Sequence, residues 1–216
     1  SGFQLNAQGK NQVDAQGRKQ GVWEKTYPKS LAYEYKGQFK DDKPVGTFTY
    51  FYPSTKLKAV IKHNEKTGRS ETYMYHESGV LMAYGIYRNQ KKDSVWTQYG
   101  PGGKLSSRET YKNGILEGKF TIYYIPEDPD GKMQKIAKTG NYKNGKLKQE
   151  YDSEGRKTEY EYDNDGNVSK MSVYTDSDSK NITEYVNNSR GQVVTETKHI
   201  SSDTIYNDSR NTLVTT

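Results

Sequence analysis

Apolar positions in this chain recur two residues apart, and most of them are aromatic. Phe48, Tyr50 and Tyr52 follow this spacing, as do Tyr73 and Tyr75, and Phe120, Ile122 and Tyr124. A period of two puts each set on one face of a strand. Aromatic side chains suit strands because they pack against cross-strand neighbours. No stretch of about 12 residues keeps a 3.6-residue apolar period, so the pattern predicts strands and no helix. Polar turns punctuate it at Pro53-Ser54-Thr55-Lys56, Ser78-Gly79 and Gly102-Gly103, and over an enlarged segment from Pro126 to Gly131. Asn113-Gly114 and Asn144-Gly145 are hairpin signals, since both residue types tolerate positive φ.

The pattern repeats. Trp23, Phe48, Tyr73, Trp96 and Phe120 open successive units at spacings of 25, 25, 23 and 24. Each unit carries further aromatics: Tyr27 in the first, Tyr50 and Tyr52 in the second, Tyr75 in the third, Tyr99 in the fourth, Tyr123 and Tyr124 in the fifth. Each reads as two antiparallel strands with short loops. One such hairpin is marginal alone in water, so stability is expected to belong to the stack. After Leu147 the register shortens, with Tyr151, Tyr162, Tyr174 and Tyr185 stepping by 11, 12 and 11. The expected organisation is an entering strand or cap in residues 1–20, around Phe3 to Val13, then five hairpin repeats in 21–147. Shorter hairpins follow in 148–216 with a polar C-terminal cap, where Tyr206 and Leu213 favour a last hairpin. The fold class is all-β: an elongated, single-layer antiparallel β-meander with right-handed twist and roughly 14–18 strands.

Composition fits a thin sheet. Of 216 residues 31% are apolar, 28% are charged, 20 are Tyr and 2 are Trp. So few aliphatic side chains cannot fill a thick two-layer core. Cys is absent, which excludes a disulfide scaffold, thiol catalysis and Cys-ligated zinc. The formal charge of +6 is spread along the chain with Lys and Arg beside Asp or Glu, which argues against a nucleic-acid footprint. No apolar run reaches the ~18 residues of a membrane span. No basic-then-apolar leader follows Ser1-Gly2, so the expectation is a cytosolic protein or a mature, processed one.

Candidate chemistry is sparse. His63, His76 and His199 show no metal-ligand spacing and are expected at turns or strand ends. Asp163-Asn164-Asp165-Gly166-Asn167 alternates oxygen ligands as a calcium loop does. Its Gly comes too early for that motif and no Glu stands twelfth, so an Asx-type turn is expected; Asp176 and Asp178 would join only if the fold brought them near. Asp128-Pro129-Asp130-Gly131 reads the same way. There is no Gly-x-Ser-x-Gly elbow, and Gly100-Pro101-Gly102-Gly103 lacks the Lys-Ser/Thr of a phosphate loop. No catalytic residue, metal or cofactor is expected, and the protein is not expected to be an enzyme. The residues left as ligand contacts are the ladder aromatics themselves, Trp23, Tyr27, Phe48, Tyr50, Tyr52, Tyr73, Tyr75, Trp96, Tyr99, Phe120, Tyr123 and Tyr124. They either form the structural repeat or, on an open face, offer an interaction surface.

Gly21-Val22-Trp23, Gly46-Thr47-Phe48 and Gly118-Lys119-Phe120 open units, and Tyr111-Lys112-Asn113-Gly114 and Tyr142-Lys143-Asn144-Gly145 lie near unit ends. Over residues 20–147 these motifs resemble the MORN-repeat variant of many bacterial proteins, some labelled antitoxins. The Tyr-Asp-x-x-Gly pattern of 151–167 is similar to the Tyr-Asp repeats of secreted, shell-forming bacterial proteins. The resemblance implies an antiparallel meander of hairpins and contacts with proteins, lipids or the cell surface. Ser70-Glu71 departs from the Gly-and-aromatic opening, Ser94 stands in a Gly position, and Glu127-Asp128-Pro129-Asp130 inflates the fifth turn. The expected function is a non-catalytic protein-interaction scaffold at the bacterial cell envelope, periplasmic or secreted, with a protein partner or self-association through edge strands. The alternatives are an envelope glycan or lipid binder and an antitoxin-like intracellular inhibitor, the last placing the chain in the cytoplasm. No nucleic-acid partner is expected.

Overall fold

A computed structural model describes residues 9–124, 134–175 and 179–202. The expected enlarged turn at 126–131, the residues Asp176 and Asp178, most of the entering segment and the last hairpin around Tyr206 and Leu213 lie outside them. Sixteen strands hydrogen-bond in sequence order, each antiparallel to its neighbours, in one open sheet. They are β1 (Gln12–Val13), β2 (Lys19–Thr26), β3 (Tyr33–Lys40), β4 (Lys43–Phe51), β5 (Leu57–Asn64), β6 (Arg69–Tyr75), β7 (Leu81–Arg88) and β8 (Lys91–Tyr99). There follow β9 (Leu105–Lys112), β10 (Ile115–Tyr123), β11 (Ile136–Lys143), β12 (Lys146–Asp152), β13 (Lys157–Tyr162), β14 (Val168–Tyr174), β15 (Ser179–Asn187) and β16 (Val193–Ser202). The chain forms two compact units, Ser1–Ile115 and Leu116–Thr216.

Two kinds of turn generate the repeat. At one end of the hairpins Asp41-Asp42, Asn89-Gln90, Asn113-Gly114 and Asn144-Gly145 hold positive φ at both residues, as a two-residue type I′ turn requires. At the other end a five-residue turn closes through two backbone bonds. The Tyr52 amide donates to the Lys56 carbonyl and the Thr55 amide returns to the Tyr52 carbonyl, both at 2.8 Å; His76–Val80 and Gly100–Lys104 repeat the arrangement. The fourth residue takes positive φ at Gly79, Gly103 and even Thr55. An eight-residue strand, a two-residue turn, a nine-residue strand and a five-residue turn compose the 24-residue unit. In the second unit five-residue turns also close Asp152–Arg156 and Asp163–Asn167, joined by strands of six and seven residues. The Tyr step therefore falls to 11–12.

The core lies where an aromatic ring covers a glycine on a neighbouring strand. Gly46, Ser94 and Gly118 adopt φ of 64°, 60° and 95°, bulging the strand so that the residue two places on turns inward. Those residues, Phe48, Trp96 and Phe120, are 1%, 2% and 4% exposed. A Cβ built on Gly37 would collide with the Phe48 ring, one on Gly85 with the Trp96 indole, and one on Gly140 with the Phe120 ring. Only glycine leaves that space open, and the ring restores the buried area the glycine lacks. Phe48 also meets Phe39 edge-on at 5.1 Å and His63 at 5.4 Å. Tyr87 packs on Trp96 at 4.9 Å, and Tyr142 on Phe120 at 5.1 Å.

The third repeat corrects the expected register. Thr72, not Tyr73, stands 24 residues from both Phe48 and Trp96 and is buried at 2% exposure. Tyr73 points to the opposite face and pairs with Tyr84, ring centroids 4.9 Å apart. Ser70 occupies the bulge position, yet β5 and β6 pair without a register shift. The connection lengthens to Glu65–Gly68 while β6 shortens to seven residues, so the period survives the lost bulge. Thr72 Oγ1 has no hydrogen-bond partner among the described residues, and a buried unsatisfied hydroxyl costs about 1–3 kcal/mol. Thr72→Val is therefore expected to raise stability by ~1 kcal/mol in urea denaturation; a destabilised variant would show that the hydroxyl has a partner.

Candidate interaction surface

The ladder aromatics fall into three groups. Phe48, Trp96 and Phe120 are interior. Trp23, Tyr50, Tyr73, Tyr75, Tyr99 and Tyr123 are half-buried within strands. Tyr27, Tyr52 and Tyr124 follow strand ends, their amides donating to the Ala32, Lys56 and Lys135 carbonyls; the turn that Tyr27 opens has six residues and the one that Tyr52 opens has five. The alternation that put Tyr52 on one face with Phe48 and Tyr50 ends at Phe51, where the register shifts. Phe120, Ile122 and Tyr124 likewise do not share a buried face, because Ile122 and Tyr124 are exposed. A period-two reading cannot see a bulge.

The turn aromatics join successive tips. Tyr27 Oη donates to the Phe51 carbonyl and Tyr52 Oη to the Tyr75 carbonyl, each at 2.7 Å. His76 Nε2 lies 3.4 Å from the Tyr99 carbonyl in the equivalent place. Each bond ties one repeat to the next, so Tyr52→Phe is expected to cost ~1 kcal/mol and to speed amide exchange around Tyr75; unchanged exchange would count against the tie. In other turns a carboxylate or amide takes this first position and caps its own loop. Asp14 Oδ1 accepts from the Gln16 and Arg18 amides, and Asp14 Oδ2 from Arg18 Nε at 2.8 Å. Asp152 repeats this with Glu154 and Arg156. Desolvation pushes the Asp14 pKa up, but hydrogen bonds from Gln20, Arg18 and Gln16 outweigh it and leave the carboxyl at about 2. Asp163 Oδ1 accepts from the Asn167 amide at 2.8 Å, and Asp163 Oδ2 from Asn187 Nδ2 at 3.2 Å, an Asx turn tied to a neighbouring strand. This Asp-x-x-Gly-Arg turn at 14–18 escaped the sequence reading, although its match to 152–156 was there to be found.

Lysines cover many of the rings. Lys19 Nζ sits 4.8 Å from both the Trp23 and Phe39 centroids, and Lys92 Nζ 4.7 Å from both Trp96 and Tyr111. Lys157 and Lys180 flank Tyr174. These ammonium groups gain cation–π attraction and occupy the faces on which a sugar would stack. Burial, then the Glu150 carboxylate that accepts its hydroxyl hydrogen at 2.9 Å, push the Tyr160 phenol up to about 12. His63 Nδ1 is 2.8 Å from Ser70 Oγ, and burial lowers the imidazole pKa. No cluster of three or more metal-ligating side chains occurs among the described residues, and none of their helices is long and apolar enough to cross a membrane. Exposed large apolar side chains occur along the whole ladder of described residues, Val13, Leu31 and Ile115 among them, and four of the twelve, Val186, Val193, Val194 and Ile200, stand on the last two strands.

Comparison with known proteins places one segment. A model of the RHS repeat matches residues 142–180, the stretch that holds the Tyr-Asp-x-x-Gly turns at Asp152 and Asp163. No curated protein matches the chain. Among solved structures, the crystal structure of TcdB2-TccC3-TEV is similar at 12% identity, over 84% of this chain and 13% of that one, with a TM-score of 0.20. The superposition is too poor to transfer a fold or a function. Of the MORN-like motifs of 20–147 the RHS match takes in only the last, Tyr142-Lys143-Asn144-Gly145, and it supports, at the coarser level, a bacterial repeat protein.

Proposed function

We propose that this chain is a non-catalytic scaffold for protein contacts, built of MORN-variant-like hairpins that pass into RHS-type repeats, and that it works at the bacterial cell envelope. The observation that carries the reading is where apolar surface is left open. Trp23, Tyr27, Phe48, Tyr52, Trp96 and Phe120 are committed to glycines, carbonyls and lysines of the ladder itself. Val186, Val193, Val194 and Ile200 on β15 and β16 are more than half exposed. Exposed β-branched side chains on adjoining strands suit a protein surface or a second copy of the chain. The lysines over the rings speak against the glycan alternative.

The test uses the purified chain and its Val186→Lys, Val194→Lys variant, each cross-linked in a bacterial envelope fraction and analysed by light scattering. The scaffold reading predicts a stoichiometric protein complex or a dimer, cross-linked through β15 and β16 and lost in the variant. A monomer that captures nothing beyond what the variant captures would refute it.

A further inference from the structure

The irregular third repeat opens a groove of about 820 Å³ on one face of the first unit. Its base is the row in which His63 pairs with Ser70 and Ser70 with Tyr87. Ile61 and Val45 add apolar wall. The groove lies where the small Ser70 stands between His63 and Tyr87 and the β5–β6 connection has lengthened to Glu65–Gly68. Lys40, Lys43 and Arg69 line it, and none of the three has an ion-pair partner or a ring contact among the described residues. The nearby carboxylates do not neutralise them: Asp41 is held by Arg18 at 3.2 Å and by Gln20 at 2.8 Å, and Glu65 stands exposed on the connection.

We propose that this groove binds an extended acidic peptide with alternating apolar side chains. This deepens the scaffold reading by naming a second contact surface and the chemistry of the segment it takes. The lining residues come from β3 through β7; five strands at ~4.8 Å spacing span about 19 Å, the length of about six extended residues. A small anion would fill a fraction of that length, whereas a hexapeptide sets carboxylates against Lys40, Lys43 and Arg69 and apolar side chains against Ile61, Val45 and Tyr87. Arg69 is half-buried, so its guanidinium meets a carboxylate partly out of water, where the pair is stronger than at an open surface.

Fluorescence anisotropy with a labelled Asp-Leu-Asp-Leu-Asp-Leu peptide tests this on the full chain. Saturable binding is expected, weakened at least tenfold by Lys43→Ala combined with Arg69→Gln, a loss of ~1.4 kcal/mol. Lys62→Ala is the control, because Lys62 lies over Tyr73 on the opposite face, and it should leave affinity within about twofold. A hexa-Asp peptide should bind at least tenfold more weakly, since it lacks the apolar contacts. The proposal is overturned by no binding at millimolar peptide, by equal losses in the groove and control variants, or by hexa-Asp or inorganic phosphate competing as well as the mixed peptide. Peptide binding that survives Val186→Lys, Val194→Lys separates this outcome from that of the envelope experiment.

Discussion

Replacing Trp96 with Ala should lower stability by about 3–5 kcal/mol, the range for deleting a large buried aromatic. The indole is 2% exposed, lies over Gly85, meets Tyr87 edge-on and donates Nε1–H to the Ile86 carbonyl at 3.1 Å. The substitution leaves a void beside a glycine with no side chain to collapse into it. Trp96→Phe should cost less, since it keeps a ring over Gly85 and forfeits a hydrogen bond of ~1 kcal/mol. Lys62→Ala should fall within ~0.5 kcal/mol of wild type. Urea denaturation ranks the three; a Trp96→Ala midpoint equal to that of Lys62→Ala would remove the ring from the core.

Gly140→Ala should be comparably damaging, for the opposite reason. The added Cβ would run into the Gln149 carbonyl oxygen, lie 2.7 Å from Phe120 Cε1 and 2.8 Å from Glu150 Cα. Two of these obstacles are backbone of a strand paired to Gly140, so the clash cannot be relieved by turning a side chain. A loss of about 3 kcal/mol is expected. Gly85→Ala differs, because its clash is with the movable Trp96 ring. In a Trp96→Ala background Gly85→Ala should cost little, giving a coupling energy of ~1–3 kcal/mol. Additive losses at 85 and 96 would show that ring and glycine do not form a unit.

The strands, the 24-residue period and the Asn-Gly turns are legible because side-chain alternation and positive-φ chemistry are local properties. The bulges are not, since a bulge changes which face a residue takes without changing its type. Tyr73 therefore looked like the partner of Phe48 and Trp96, while Thr72 held that place. Ser94 supplies φ of 60° with no glycine to announce it, and Thr55 supplies 69° with a β-branched side chain. Gly37 and Gly85, two repeats apart, were the available signal of the covered-glycine core. The groove was half visible, because Ser70-Glu71 stood out as a departure. That it leaves three cations without partners depends on where neighbouring strands place their carboxylates, which one-dimensional spacing does not fix.

Proton NMR tests most directly whether rings on one strand seal glycines on the next. The Hα resonances of Gly37, Gly85 and Gly140 should shift upfield under ring current and show cross-peaks to the ring protons of Phe48, Trp96 and Phe120. Random-coil Hα shifts at these three glycines, with no such cross-peaks, would contradict the architecture described for both units.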